Sequence, residues 1–89
     1  MIVRIDKEFQ KDTSKINDAK LKRSIIEVIE SIQKAENLSS ITNLKKLTGF
    51  KDCYRIKLGN YRIGLEHTKD NEIVLIRFLD RKEIYRKWP

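Results

Sequence analysis

Apolar and polar residues alternate along two stretches in the middle of the chain, residues 53–58 and 61–66. Alternation with a period of two is typical of β-strands, and the Gly59-Asn60 pair between the stretches predicts a hairpin with a two-residue loop. The implied cross-strand pairs are Leu58 with Tyr61, Lys57 with Arg62, Ile56 with Ile63, Arg55 with Gly64, and Tyr54 with Leu65.

The two faces of this predicted hairpin differ in chemistry, because cross-strand partners lie on the same face. One face is apolar and consists of Tyr54, Ile56, Leu58, Tyr61, Ile63 and Leu65. The other carries Arg55, Lys57 and Arg62, with Gly64 leaving a gap beside them. Like charges directly opposite each other destabilise a sheet by roughly 0.2–1 kcal/mol, so these cations favour an anionic ligand. Phosphate fits, since Arg offers a planar fork and Lys a point charge; an ordinary basic surface is the alternative.

The N-terminal half predicts one strand and two helices. Residues 1–5 form a short strand, and Asp6 is a good N-cap for a weakly helical segment over 7–16. Asn17 and Asp18 then break the pattern and cap the next helix, and residues 19–35 carry the clearest helical periodicity in the chain. The apolar positions of that second helix are Leu21, Ile25, Val28, Ile29 and Ile32.

The segments that flank the hairpin are less regular. Residues 43–47 are predicted as a short turn of helix or an extended lead-in, and Thr48-Gly49 as a turn. A turn at residues 69–71 leads to a third strand of the C-terminal half over 73–79. A two-residue loop at Asp70-Asn71 would place Gly64 opposite Arg77. Leu75 and Leu79 would then share the side of Arg77.

The aromatic tail, residues 81–89, is expected to pack back on the sheet or to stack on a ligand through Ile84, Tyr85 and Trp88. The predicted order is β-α-α-β-β-β in a single domain over residues 1–89. This is an α+β fold, with two N-terminal helices on one face of a small, mostly antiparallel twisted sheet and the cations on the opposite face.

Charge is concentrated in the second half of the chain. Residues 1–44 hold eight Lys or Arg against seven Asp or Glu, whereas residues 45–89 hold twelve against six, which accounts for +6 of the net charge of +7. A basic surface of this kind favours nucleic acid or an acidic protein partner. The single Cys and single His cannot by themselves form a disulfide or a zinc site. With no signal-peptide or membrane-spanning run, we expect a cytoplasmic protein without metal or cofactor.

If the ligand is RNA, the basic face offers groups for cleavage. Lys57 is the best general base, because Arg55 and Arg62 are like charges that disfavour its protonated form. Arg62 and Arg81 would stabilise transition-state charge, and Tyr85 would stack on a base. His67, near a hairpin turn, is expected to have no role. The side chains expected to contact RNA are Arg55, Lys45, Lys46, Arg77, Lys82 and Arg86.

A site built from Lys and Arg would be slow on free RNA. Its substrate would need to be held in a reactive geometry by another molecule, an effect worth up to about 7–11 kcal/mol.

The segments LTG, CYRIKLGNYRIGL and IVLIRFLDRKEIYRKWP, following the helix pair, resemble the RelE/ParE superfamily of toxins, most closely its RelE-like messenger RNA interferases. The resemblance covers nearly the whole chain. It implies a metal-independent endoribonuclease that cleaves messenger RNA in the ribosomal A site, and a cognate antitoxin that blocks this surface. The positions that match the family's basic and aromatic set are Arg55, Lys57, Arg62, Arg81 and Tyr85.

Three positions depart from the pattern of the family. Arg55 replaces a lysine found in some members, and Leu65 stands where an aromatic residue is frequent. Asp80 stands where many relatives have a basic residue, so it could pair with Arg81 and lower activity. The alternatives are a ParE-like inhibitor of DNA gyrase or a degenerate member of the fold that binds RNA or antitoxin without cleavage.

Overall fold

Five strands and three α-helices form the chain in the computed structural model, which describes residues 1–89. The elements are β1 (Ile2–Ile5), α1 (Lys7–Ser14), α2 (Ala19–Lys34), a 3-10 turn (Leu38–Ser40), β2 (Leu44–Lys46), β3 (Cys53–Leu58), β4 (Tyr61–His67), β5 (Glu72–Asp80) and α3 (Arg81–Lys87). The sheet order is β1-β5-β4-β3-β2, with β1 parallel to β5 and every other pair antiparallel. The predicted α+β class is confirmed, and β2 and α3 are additions to the predicted element order.

The hairpin of β3 and β4 has the predicted register at all five pairs, and Cys53 also pairs with Glu66. Gly59 in its loop has a φ of 59°, a left-handed conformation that glycine adopts without steric cost. The side chains of the predicted apolar face belong to the main core or pack against it.

The register between β4 and β5 changes in the middle of the strands. Gly64 pairs with Arg77 as predicted, but Leu65 pairs with Leu75, which leaves Ile76 as the extra residue of a β-bulge. The turn contains three residues, Lys69 to Asn71, because the Thr68 N–H donates to the Glu72 carbonyl (2.9 Å). The prediction of a two-residue loop was therefore wrong by one residue, and the bulge restores the register.

The bulge separates two leucines that were expected to share a face. Leu75 lies in the main core with Ile73, whereas Leu79 belongs to a second cluster with Ile84 and Trp88. One extra residue inverts the alternation of the side chains, so positions on either side of it lose their predicted phase.

The sheet has a core on each face. Phe9 of α1, together with Ile25 and Ile32 of α2, packs on one face in the main cluster. On the other face α3 buries Ile84 and Trp88, as expected for a tail that packs back. A Cβ on Gly64 would lie 2.7 Å from Cδ2 of Trp88, so the predicted gap beside the cations is filled by the indole ring.

A buried ion pair connects α1 to the bulge. Asp12 Oδ2 accepts hydrogen bonds from Arg77 Nε (2.8 Å) and from the backbone N–H of Phe78 (2.9 Å). The Asp12 side chain is only 7% exposed. Asp12 therefore satisfies a backbone donor of β5 beyond the segment that pairs with β1.

Candidate nucleic-acid interface

Three predicted catalytic cations lie near the tip of the β3-β4 hairpin. Lys57 and Arg62 are cross-strand partners, one pair away from the residues that close the loop. The backbone N–H of Arg81 donates to the Asn60 carbonyl in that loop (2.9 Å), which holds the start of α3 at the same end of the hairpin. The fold therefore brings together residues 24 positions apart in sequence, Lys57 and Arg81.

The guanidinium of Arg62 is oriented by the backbone of the loop. Its Nη1 donates to the carbonyls of Gly59 (2.9 Å) and Tyr61 (2.8 Å). Arginine has five N–H donors, so the remaining ones are available to an anion. Fixing the side chain in this way reduces the conformational entropy that a ligand contact would cost.

Asp80 acts as the N-cap of α3. Its Oδ1 accepts from the backbone N–H of Lys82 at 2.8 Å, and it forms no ion pair with Arg81. The expected pairing of Asp80 with Arg81 is therefore not found, because the carboxylate is used to cap the helix.

Tyr85 lies one helical turn after Arg81, so the two side chains lie on neighbouring positions of the same helix face. The tyrosine is 60% exposed and belongs to neither core cluster. Its ring is thus available to a ligand, whereas the neighbouring Ile84 and Trp88 are buried.

A groove of about 340 Å³ runs between β2, the following loop and the C-terminal end of the chain. Its lining combines cations with aromatic and small residues: Lys45, Lys46, Leu47, Thr48, Phe50, Arg55, Tyr85, Trp88 and Pro89. Arg55 pairs across the sheet with Lys45 and donates from Nη1 to the Asn43 carbonyl (3.1 Å), while its Nε is buried without a partner. The groove contains no acidic residue.

The cations of this face lack carboxylate partners. The ion pairs of the chain are Arg4 with Glu72, Arg77 with Asp12, and Lys87 with Glu83. None of these pairs includes Lys45, Lys46, Arg55, Lys57, Arg62, Arg81, Lys82 or Arg86. We define the basic face as Lys45, Arg55, Lys57, Arg62 and Arg81; an anionic ligand would relieve the repulsion among its members.

The remaining predicted contacts are placed differently. Arg77, expected to contact RNA, is paired with Asp12 and is only 19% exposed, so its guanidinium has a structural partner that the cations of the basic face lack. Its pKa is raised by the hydrogen bond to Asp12, and burial opposes that shift. Lys82 and Arg86 are exposed on α3 but do not line the groove.

Two other reactive side chains, His67 and Cys53, do not belong to the basic face. His67 Nε2 lies 2.8 Å from Oδ1 of Asn71 beside the β4-β5 turn, at the far end of β4 from Arg62. Burial raises the pKa of the Cys53 thiol, and Glu66 and Asp52 raise it further. The thiol is therefore protonated at neutral pH and a poor nucleophile.

Sequence reasoning overlooked Phe50. Its only signal was a large aromatic residue in a polar turn, between Gly49 and Lys51. The structure places Phe50 in the lining of the groove, 47% exposed.

A helix pair and a short C-terminal helix on opposite faces of a five-stranded sheet, with a basic face beside the latter, define a small α+β domain that suits an anionic ligand. The profile of the ParE toxin of type II toxin-antitoxin systems, parDE, matches residues 3–85, and the chain belongs to this family. The predicted membership of the RelE/ParE superfamily is thereby confirmed.

The relatives within this superfamily are RelE-like. The chain is 37% identical to Toxin RelE3 of Methanocaldococcus jannaschii over the full length of both. It is similar to the toxin of the RelB-RelE antitoxin-toxin complex from Methanococcus jannaschii, with 35% identity, coverage of 97% and 99%, and a TM-score of 0.80. The isolated E. coli RelE toxin shares the fold at 21% identity, with coverage of 97% and 92% and a TM-score of 0.65. The chain is thus a RelE-family toxin of a type II toxin-antitoxin system.

None of the helices is long and apolar enough to cross a membrane.

Proposed function

We propose that this toxin is a ribosome-dependent endoribonuclease that cleaves messenger RNA in the A site and so inhibits translation. The observation that carries the proposal is the basic face, whose five cations have no carboxylate partner and two of which, Lys45 and Arg55, line a groove with the exposed Tyr85. Such a face suits a chain of phosphates with accessible bases.

Lys57 is proposed as the general base. Its deprotonated Nζ takes the proton of a ribose 2′-hydroxyl, and the 2′ oxygen attacks the adjacent phosphorus. The phosphorus–oxygen bond to the 5′ oxygen breaks, which yields a 2′,3′-cyclic phosphate, and the departing oxygen takes a proton from water. Arg62 and Arg81 stabilise the charge on the pentacoordinate phosphorus and on the departing oxygen. Arginine is assigned no proton transfer, because its pKa is too high.

The ribosome is proposed to supply the substrate geometry. Lysine and arginine are weak acid-base catalysts near neutral pH, and the only histidine, His67, lies beside the β4-β5 turn rather than near Lys57. Alignment of the 2′ oxygen, phosphorus and 5′ oxygen by a bound messenger RNA would provide a part of the rate enhancement that the side chains lack.

Primer extension on a defined messenger RNA, free and positioned on ribosomes, tests this proposal. We expect cuts at A-site codons on ribosomes only. Lys57→Ala and Lys57→Arg should both lower the cleavage rate about 10²–10⁴-fold, because neither provides a base. Lys57→Arg retains the positive charge and should still bind the messenger RNA.

The matched control is Arg23→Ala on α2, an exposed cation without an ion pair, which should cleave like wild type. Circular dichroism of each variant verifies folding. Absence of cuts in both settings with folded wild type would refute the nuclease. Full activity of Lys57→Arg would refute the base assignment alone.

An inhibitor of DNA gyrase is the second candidate, because the matching family profile is that of ParE toxins. A supercoiling assay with purified gyrase separates the two. Inhibition that survives Lys57→Ala, together with intact transcripts, would favour gyrase.

A cognate antitoxin is the proposed protein partner. The similar toxin of Methanococcus jannaschii was crystallised in a RelB-RelE antitoxin-toxin complex, and the basic face suits an acidic segment of such a partner. Purified complex should cleave no messenger RNA on ribosomes, and proteolysis of the antitoxin should restore cleavage. An inhibited complex in which Lys45 and Lys57 remain fully reactive toward acetylation would show that the antitoxin acts elsewhere.

A further inference from the structure

Phe50 is a large aromatic side chain that lines the groove and is half exposed to solvent. It lies in the loop between β2 and β3 and is 47% exposed. The exposed large hydrophobic residues of the chain are Ile2, Ile5, Ile26, Phe50 and Tyr85. Only the two aromatic ones line the groove. Neither of their rings is stacked on another aromatic ring of the protein, and both side chains are exposed.

The charges around Phe50 indicate which chemical class of ligand would bind in the groove. Lys45, Lys46 and Arg55 line the same groove, none of them has an ion-pair partner, and no acidic side chain is present. A ligand that matches both features is anionic and carries a flat π-surface. Single-stranded RNA meets this requirement, because phosphates bind to the cations and bases stack on aromatic rings.

The dimensions of the groove also fit a small ligand group. Its volume of about 340 Å³ lies within the range of roughly 300–1,000 Å³ that is typical of small-molecule sites. Arg55 in the groove is two residues from Lys57 on β3, a separation of roughly 7 Å along the strand. A base in the groove would therefore belong to a nucleotide near the one whose 2′-hydroxyl Lys57 deprotonates.

We infer that the groove is a nucleobase subsite, in which Phe50 stacks on one base of single-stranded RNA while Lys45 and Arg55 contact its phosphates. The position of that base next to the cleaved nucleotide rests on the proposed function. Stacking of a base on Phe50 does not require that the protein cleaves RNA.

The test is a fluorescence titration of the toxin with a short single-stranded RNA that carries 2-aminopurine, at low salt. Stacking quenches 2-aminopurine, so wild type should quench on binding. Phe50→Ala and Phe50→Leu should weaken binding about 5- to 150-fold and remove the quench, because stacking contributes about that much per base. Phe50→Trp should retain both the RNA binding and the quench. The Leu variant separates aromatic stacking from general hydrophobic contact.

Ile26→Ala is the matched control, since Ile26 is 56% exposed and lies on α2, away from the groove. Its titration should equal that of wild type. Lack of quenching by wild type, or equal binding by Phe50→Leu and wild type, would overturn the inference, and binding of an acidic peptide alone would point to a protein ligand.

The failures of the two proposals are distinguishable. Quenching that depends on Phe50, without any cleavage on ribosomes, would keep the subsite and refute the nuclease. Normal cleavage with quenching independent of Phe50 would keep the nuclease and refute the subsite. If both hold, Phe50→Ala should raise KM and leave kcat nearly unchanged, because stacking is equal in the ground and transition states.

Discussion

Arg77 has the same formal charge as the cations of the basic face, but its surroundings give it another role. Asp12 accepts from its Nε at 2.8 Å and from its Nη2 at 3.2 Å, and also from the backbone N–H of Phe78. The carboxylate therefore neutralises a partly buried charge and accepts from a backbone donor of β5 beyond the segment that pairs with β1. The sequence contained Asp12 and Arg77 but no indication that two residues 65 positions apart would meet.

Replacing Asp12 by Ala should destabilise the fold by about 2–4 kcal/mol. The change leaves the Arg77 guanidinium and the Phe78 N–H without their acceptor in a buried site. The measurement is the free energy of unfolding in urea. The double variant Asp12→Leu/Arg77→Met should lose less stability than Asp12→Ala, because it removes the unpaired charge. An Asp12→Ala variant as stable as wild type would contradict the assigned role.

At the scale of the element, α3 depends on its contacts with the sheet. It has seven residues, fewer than the roughly 12–15 at which an isolated helix becomes even marginally stable. Asp80 caps its first turn, and Ile84 and Trp88 bury its apolar side against Leu79. The helix therefore holds Arg81 and Tyr85 in place only while its apolar side remains packed.

Gly64→Ala should displace the C-terminal end of α3. The added Cβ would lie 2.7–3.0 Å from three atoms of the Trp88 ring, and overpacking of this kind costs typically about 1–3 kcal/mol. Trp88 is the only tryptophan, so its emission should shift to the red as the ring becomes exposed.

The double variant Gly64→Ala/Trp88→Leu should recover part of the lost stability, because the smaller side chain leaves room for the methyl group. Unchanged tryptophan emission in Gly64→Ala would contradict the close packing of glycine and indole.

Across the whole molecule, the main core and the basic face lie on opposite faces of the sheet. The N-terminal helices cover one face, and the basic face accompanies α3 on the other. Because most of the net charge of +7 comes from residues 45–89, the electrostatic field is directed toward that side.

Binding of single-stranded RNA should weaken steeply with salt. Each phosphate contact contributes about −0.7 to the slope of log K against log salt concentration. Lys45→Ala should therefore make the slope shallower by about 0.7, whereas Arg23→Ala on the helical face should leave it unchanged. The measurement is the RNA titration repeated over a range of salt concentrations. Equal slopes for Lys45→Ala and wild type would remove Lys45 from the RNA contacts.

Local patterns determined much of this protein. The β3-β4 register followed from the Gly59-Asn60 loop, and the caps Asp6 and Asp18 begin their helices as expected, because these interactions join residues close in sequence. The pairing of Lys57 with Arg62 was predictable for the same reason. Their cluster with Arg81 was suggested by family resemblance, and the Arg81–Asn60 hydrogen bond accounts for it.

Tertiary structure decided what depends on contacts between distant segments. The three residues of β2 are a strand only because the edge of β3 offers hydrogen bonds, and α3 is ordered by the sheet beneath it. The bulge at Ile76 places Leu75 in the core, and the fold brings Asp12 within hydrogen-bond distance of Arg77. Each of these outcomes depends on packing or hydrogen bonds between residues far apart in the chain. Local periodicity does not predict such contacts.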